Sequence, residues 1–152
     1  MDILSSLLFA ISANADNFVV GLSYGIKKVK IGLASNFLIA LVSLLGTVIS
    51  MSISKIIVNF IPENISNLIG SIMLILIGGW TIVKSLLKSA DSDSILENPE
   101  KIDKDNSSNI DIKESVVLAL ALTVNNSGLG IGAAATGLNI TTTSLLTFVF
   151  SL

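Results

Sequence analysis

Apolar residues occur in four long runs along this chain, separated by short polar connections and one long polar segment. A helix needs about 20 apolar residues to cross the roughly 30 Å of hydrocarbon in a bilayer, and each run is long enough. A fifth run, Thr142–Leu152, would cross only about half of it, so we expect the natural chain to be longer. The pattern predicts an all-α, polytopic membrane helical bundle with spans at Ile3–Ile26, Ile31–Ser54, Ile65–Leu87 and Ser115–Leu138.

The long polar segment covers residues 88–114 and separates the first three spans from the fourth. It is rich in Asp, Asn, Ser and Lys and cannot bury enough apolar surface to fold by itself, which predicts a flexible cytoplasmic loop. A calcium-binding loop starting at Asp91 is excluded, because it would place Leu96 where such loops need Gly and Ile102 where they need Glu. We therefore interpret the segment as a linker.

The composition fits a membrane protein and excludes several other classes. Only 13% of the residues are charged, whereas soluble domains have about 25%. The chain has neither Cys nor His, so it has no disulfide bond, no thiolate or imidazole metal ligand, and no Ser–His or Cys–His catalytic pair. A single carboxylate within the spans cannot form an aspartyl protease dyad, so we do not expect an enzyme. No basic patch predicts binding to nucleic acid.

The lysines predict how the spans are oriented. Cytoplasmic connections of membrane proteins carry an excess of Lys and Arg. If the turn at residues 27–30 is cytoplasmic, Lys55 alone lies outside, and the cytoplasmic lysines are Lys27, Lys28, Lys30, Lys84, Lys88, Lys101, Lys104 and Lys113. This distribution predicts a multi-pass protein of the cell membrane with its N-terminus outside. Ala13-Asn14-Ala15 also fits a signal-peptide cleavage site, but no Lys or Arg precedes the first run, so we favour an uncleaved span.

The first and fourth spans share a polar motif. Shifting the sequence by 109 residues aligns Asp16-Asn17-x-x-x-Gly21 with Asn125-Asn126-x-x-x-Gly130. Three spans per unit give the second unit the opposite orientation in the membrane. The pattern therefore predicts two inverted three-helix repeats, residues 1–87 and 115–152, of which the second is incomplete. Chance similarity between apolar helices is the alternative explanation.

Asp16 is the only acidic residue within the four spans. A carboxylate near the middle of a bilayer costs roughly 2.5–3.5 kcal/mol on insertion scales, so such residues usually have a function. Together with Asn17, Asn125 and Asn126 it would offer oxygen ligands, which suit Mn²⁺, Mg²⁺ or Ca²⁺ rather than copper or zinc. These four residues form the predicted metal site. Asp16 could instead carry a proton, or accept a structural hydrogen bond from an amide on a neighbouring helix.

Glycines are predicted to let the helices approach closely. Gly21 and Gly25 in the first span, and Gly128 and Gly132 in the fourth, have the four-residue spacing typical of close helix contacts in membranes. The stretch at residues 125–128 could also loosen the fourth helix locally, because Gly costs about 1 kcal/mol relative to Ala within a helix.

Three motifs resemble the manganese efflux pump family: Asp16-Asn17-Phe18-x-x-Gly21, its counterpart at Asn125–Gly130, and Ile77-Gly78-Gly79-Trp80. The continuation from Gly21 to Lys28 is closer to the sporulation-associated membrane branch of that family. The resemblance implies six helices in two inverted halves, with one acidic metal ligand in each half. Asp16 matches the first of these acidic positions, and Asn125 stands at the second.

The resemblance implies one of two functions. The first is export of a hard divalent cation, Mn²⁺, which would be a transported substrate rather than a permanently bound cofactor. The alternative is a sporulation-associated integral membrane protein without transport activity, which the Asn at position 125 favours. The lipid bilayer is the expected partner in both cases. A homodimer could supply the helices beyond the four spans, although no residue pattern specifies one.

Overall fold

The computed structural model describes residues 3–87 and 98–152, without the side chains at positions 84, 85, 100 and 125. The described part of the chain is all-α apart from one pair of two-residue strands, which confirms the predicted fold class. Among the described residues, three helical segments are long and apolar enough to cross a membrane: Ile3–Ile26, Leu33–Val58 and Glu63–Val83. A fourth is added if the two parts of a bent helix are taken together. The elements in order are α1 Ile3–Ala13, α2 Ala15–Ile26, β1 Lys30–Ile31, α3 Leu33–Val58, α4 Glu63–Leu87, β2 Asn109–Ile110, α5 Ile112–Ala135 and α6 Ile140–Ser151.

Helices α5 and α6 begin where side chains satisfy their first backbone amides. The carboxylate of Asp111 accepts a hydrogen bond from the backbone N–H of Glu114, and Glu114 accepts one from the backbone N–H of Asp111. This capping box starts α5 three residues earlier than the apolar run predicts. The side chain of Asn139 caps α6 in a similar way, at 3.1 Å from the backbone nitrogen of Thr142.

Helix α3 is central to the bundle and packs against α5 and α6, while α4 packs against α5 and α1 against α6. Small residues permit this proximity. A Cβ atom on Gly70 would lie 2.8 Å from the backbone nitrogen of Thr136, so only glycine fits between α4 and α5 there. Serine hydroxyls join α3 and α4 to α5, since Ser54 of α3 donates to the carbonyl of Ile131 and Ser66 of α4 to that of Ala135.

The outer faces of the bundle are apolar. On α4, Ile75 and Trp80 expose 72% and 71% of their surface. Such a surface is expected for helices surrounded by lipid. Gly21 and Gly25 belong to this outer surface, because a Cβ on either would meet no described atom within 4 Å. The predicted close packing at these two glycines is therefore wrong for the described part of the chain. Gly132, in contrast, lies against Leu74 of α4.

The described second half of the polar segment has defined local structure. It contains a 3₁₀ turn at Pro99–Lys101, followed by strand β2, which pairs in parallel with β1. Ile102 and Ile110 are buried with Tyr24 and Leu118 in one apolar cluster. The first half of the predicted loop, residues 88–97, lies outside the described residues.

The polar segment and the lysine-rich turn lie at the same end of the bundle. Lys30 pairs with Asn109 and Ile31 with Ile110 across the two strands. The Lys27 ammonium also donates to the side-chain oxygen of Asn98, at 3.0 Å. This proximity agrees with the predicted topology, in which both connections are on the same side of the membrane. Which side that is, and the inverted repeat itself, stay predictions.

Candidate functional site

Two asparagines connect the first membrane segment to α6. Asn14 lies between α1 and α2, and its amide nitrogen donates to the carbonyls of Ala10 at 2.8 Å and Thr147 at 3.1 Å. The amide nitrogen of Asn17 donates to Asn14 Oδ1 at 2.8 Å and to Ser151 Oγ at 2.7 Å. The Asn17 nitrogen therefore has a structural role. Its buried Oδ1 has no hydrogen-bond partner among the described atoms and is the atom of Asn17 available to a ligand.

A small cavity, which we call the central cavity, lies between α1, α3, α5 and α6 and has room for about one water molecule. Its polar lining consists of hydroxyl and amide groups without any acidic side chain. Within the described structure, the buried oxygens Ser43 Oγ and Thr123 Oγ1 have no hydrogen-bond partner. The lining residues are Phe9, Ala13, Ser43, Gly46, Thr47, Thr123, Asn126, Ser127, Gly130 and Thr147.

The structure brings together only part of the predicted metal site. Asn126 lines the central cavity. Asp16 and Asn17 are partly buried near the start of α2 and are not among the lining residues. The side chain of Asn125 lies outside the described part of the chain. Whether the four residues bind a metal ion therefore stays a prediction.

Helix α5 bends at the predicted polar motif. Its two parts, Ile112–Val124 and Asn126–Ala135, meet at an angle of 42°. The hydroxyl of Ser127 donates to the carbonyl of Thr123 at 2.7 Å, a local bond that competes with regular helical hydrogen bonding. The bend agrees with the prediction that this stretch loosens the helix, and it lies beside the central cavity.

The chemistry available in the central cavity is that of neutral oxygens. Hydroxyl and amide groups can hold a water molecule, which typically makes about three hydrogen bonds to otherwise unsatisfied groups. A divalent cation would need carboxylates to balance its charge in a medium of low dielectric constant. The lining residues supply none.

A second oxygen-rich group lies at the end of the bundle, in residues 103–114, which we call the acidic loop. Carboxylate oxygens of Asp103, Asp105 and Glu114 all lie within 4.8 Å of one another. Hydrogen bonds from Ser107 hold the pKa of Asp105 below its ordinary value, so this carboxylate is ionised at neutral pH. The calcium-loop spacing counted from Asp91 does not include this group. The signal that would find it is the acid spacing that starts at Asp103.

Comparison with known proteins gives one informative match. The chain is similar to the "Probable sporulation protein YtaF" of Bacillus subtilis (strain 168), with 31% identity over 96 residues. The aligned part covers 63% of this chain and 46% of the relative, so the chain spans about half of that protein's length. No protein-family model and no solved structure matches the chain. The similarity supports the resemblance to the sporulation-associated branch, whereas manganese efflux stays a prediction. This chain is thus a membrane-type helical protein similar to a sporulation protein.

Proposed function

We propose that this chain is a sporulation-associated integral membrane protein whose helical scaffold does not export a divalent cation. The neutral lining of the central cavity is the observation that carries the proposal. Proteins bind hard divalent cations through carboxylates, and an unbalanced charge in a membrane interior is costly. The motif position that would supply a second carboxylate holds Asn125.

Two further observations support the proposal. The name of the similar Bacillus subtilis protein associates it with sporulation. Neither His nor Cys is present, which argues against enzymatic activity. The proposed location is the cell membrane, with the N-terminus outside and the lysine-rich end of the bundle in the cytoplasm. Lipid is the proposed partner of the exposed apolar faces.

The second candidate function is manganese export. It is favoured by three buried oxygens without hydrogen-bond partners among the described atoms: Asn17 Oδ1, Ser43 Oγ and Thr123 Oγ1. Together with Asp16 they would be the oxygen ligands of a transported ion. The two functions differ in what they require of Asp16, because only transport needs its charge.

Substitution of Asp16 separates the two functions. In bacteria that lack their own manganese exporter, we expect neither the chain nor its Asp16→Asn variant to improve growth in Mn²⁺. In a Bacillus subtilis strain lacking YtaF, we expect both forms to restore the same number of heat-resistant spores, since the scaffold and not the carboxylate would act. Immunoblots of the membrane fraction control for expression.

The result that contradicts the proposal is specific. Manganese tolerance that the unaltered chain confers and Asp16→Asn removes would establish export through Asp16. Tolerance conferred only by Asn125→Asp would instead identify a transport scaffold whose second carboxylate has been replaced.

A further inference from the structure

The acidic loop has the donor order of a calcium-binding loop. Helix–loop–helix calcium sites use twelve residues with oxygen ligands at positions 1, 3, 5, 7, 9 and 12, and a Glu at the last position. Counted from Asp103, each of these positions holds an oxygen-bearing residue, and Glu114 is the twelfth. The chain departs from the motif by a Ser at position 5 and a Ser in place of Gly at position 6. The donors are Asp103, Asp105, Ser107, Asn109, Asp111 and Glu114.

The fold brings ligand positions from the beginning and the end of the loop close together. Asp103, Asp105 and Glu114 occupy positions 1, 3 and 12, and their oxygens lie within 4.8 Å of one another. Two oxygens on opposite sides of a calcium ion, each at about 2.4 Å, are separated by about 4.8 Å. The order along the chain and the proximity in space are separate observations. Both point to the same cation.

The framework around the loop fixes its shape. Position 8 is Ile110, which is 1% exposed and whose backbone belongs to the β1–β2 pair. Position 6, Ser108, has φ of 58°, the left-handed conformation in which calcium loops place glycine. Helix α5 begins at Ile112 and carries Glu114 in its first turn.

Backbone hydrogen bonds hold the three clustered carboxylates of the loop. Asp103 is 6% exposed, and its two oxygens accept from the backbone nitrogens of Ser107 at 3.0 Å and Ser108 at 2.8 Å. Within the described residues, none of the three clustered carboxylates forms an ion pair with a lysine. Like charges this close repel one another, and a bound divalent cation would remove the repulsion.

We infer that residues 103–114 bind one Ca²⁺ ion at the lysine-rich end of the bundle. The carboxylates of Asp103, Asp105 and Glu114 are the charged ligands, the hydroxyl of Ser107 is a neutral one, and water completes the shell. Asp111, at position 9, caps α5 and is expected to reach the ion through a water molecule, as residues at this position often do. Ca²⁺ rather than Mg²⁺ is the expected ion, since a Glu at position 12 can bind through both oxygens and Mg²⁺ requires a smaller octahedral site. This site does not depend on the proposed function.

Equilibrium dialysis with ⁴⁵Ca²⁺ tests the assignment on the whole chain, purified in detergent and freed of metal. We expect one Ca²⁺ per chain, with a Kd between about 10⁻⁵ and 10⁻³ M. Glu114→Gln should raise the Kd at least about tenfold, since Gln still completes a capping box but has lost the charge and one ligand oxygen. Glu63→Gln is the matched control, because Glu63 is also an acid in the first turn of a long helix and should leave the Kd unchanged.

Two more variants distinguish a loss of Ca²⁺ binding from a loss of folding. Asp105 is exposed and caps no helix, so Asp105→Asn should weaken Ca²⁺ binding at least about tenfold without loss of helical circular dichroism. Ser108→Gly should tighten binding, because glycine adopts the left-handed conformation without strain. The inference is overturned if no saturable binding occurs at Ca²⁺ concentrations up to about ten times the highest expected Kd. It is also overturned if Asp105→Asn binds Ca²⁺ as well as the unaltered chain does. Displacement of Ca²⁺ by Mg²⁺ or Mn²⁺ at equal concentration would overturn it too.

Discussion

The central cavity and the acidic loop are both rich in oxygen, but they differ in charge and in hydrogen bonding. The cavity is lined by hydroxyls and amides, and Ser43 Oγ and Thr123 Oγ1 have no partner among the described atoms. In the acidic loop, Asp103 and Glu114 each accept two backbone hydrogen bonds. The core thus tolerates unpaired neutral oxygens, while the three clustered carboxylates lie at the end of the bundle, where backbone amides and water can solvate them.

This difference separates two kinds of polar group in one small protein. In the core, the hydroxyls of Ser54, Ser66 and Thr143 join helices. Such a hydrogen bond in a membrane contributes about 0.6 kcal/mol on average. At the end of the bundle, carboxylates held in a fixed loop are suited to a cation. Substitutions in the core should therefore change stability without changing metal binding, and substitutions in the acidic loop should do the reverse.

The largest expected effect comes from the contact between α4 and α5. Gly70→Leu should lower the free energy of unfolding by more than about 3 kcal/mol, because its Cβ would lie 2.8 Å from both the Thr136 nitrogen and the Ala135 Cβ. Gly78→Leu on the same helix is the control, since a Cβ there meets no described atom within 4 Å. Unfolding by denaturing detergent in mixed micelles measures both. Equal losses would mean that α4 does not pack on α5 as described.

Substitution of two threonines should affect the stability of the protein in different ways. Thr123→Val removes a hydroxyl that has no partner in the described structure, so stability should stay the same or rise by up to about 2 kcal/mol. Thr143→Val removes the hydrogen bond to Ser6 Oγ, 3.1 Å long, and should cost about 1 kcal/mol or more. The same unfolding assay applies. A clear loss in Thr123→Val would indicate that the cavity holds a bound water or ion, and would weaken the contrast drawn above.

The smallest effect concerns the attachment of the acidic loop to the bundle. Ser35 Oγ donates to the carbonyl of Ile110 at 2.8 Å, and Ser35→Ala should cost about 1 kcal/mol. Amide hydrogen exchange should be faster in residues 103–110 of this variant than in the unaltered chain. Ser71→Ala, which removes only an exposed bond within α4, is the control and should leave the exchange unchanged. Unchanged exchange in both would show that Ser35 does not secure the loop.

The sequence predicts the spans well because lipid exposure requires long apolar helices, and the runs are visible in the sequence. The start of α5 is missed because Asp111 and Glu114 belong to a polar stretch, although their Asp-x-x-Glu spacing is a capping signal. Ile102 and Ile110 are two isolated apolar residues in the same stretch. Their burial depends on contacts with Tyr24 and Leu118, which are distant in sequence, so local composition cannot reveal it.

The candidate site is only partly predictable for the same reason. Asn126 is identified by its polar character in an apolar helix, and it does line the central cavity. Asn17 also donates to Ser151, 134 positions away, and no local pattern specifies that pairing. The close approach at Gly70 and the open surface at Gly21 likewise depend on which helices become neighbours. Sequence spacing alone cannot distinguish the two glycines.

The parallel pairing of β1 with β2 has a consequence for how the chain is made. Lys30 and Asn109 are joined directly, yet a ribosome adding about 5–20 residues per second reaches Asn109 roughly 4–16 seconds after Lys30. During that interval the turn after α2 has no strand to pair with, while α3 and α4 are being synthesised. The acidic loop can therefore take its final shape only late in synthesis, after two further helices have been made.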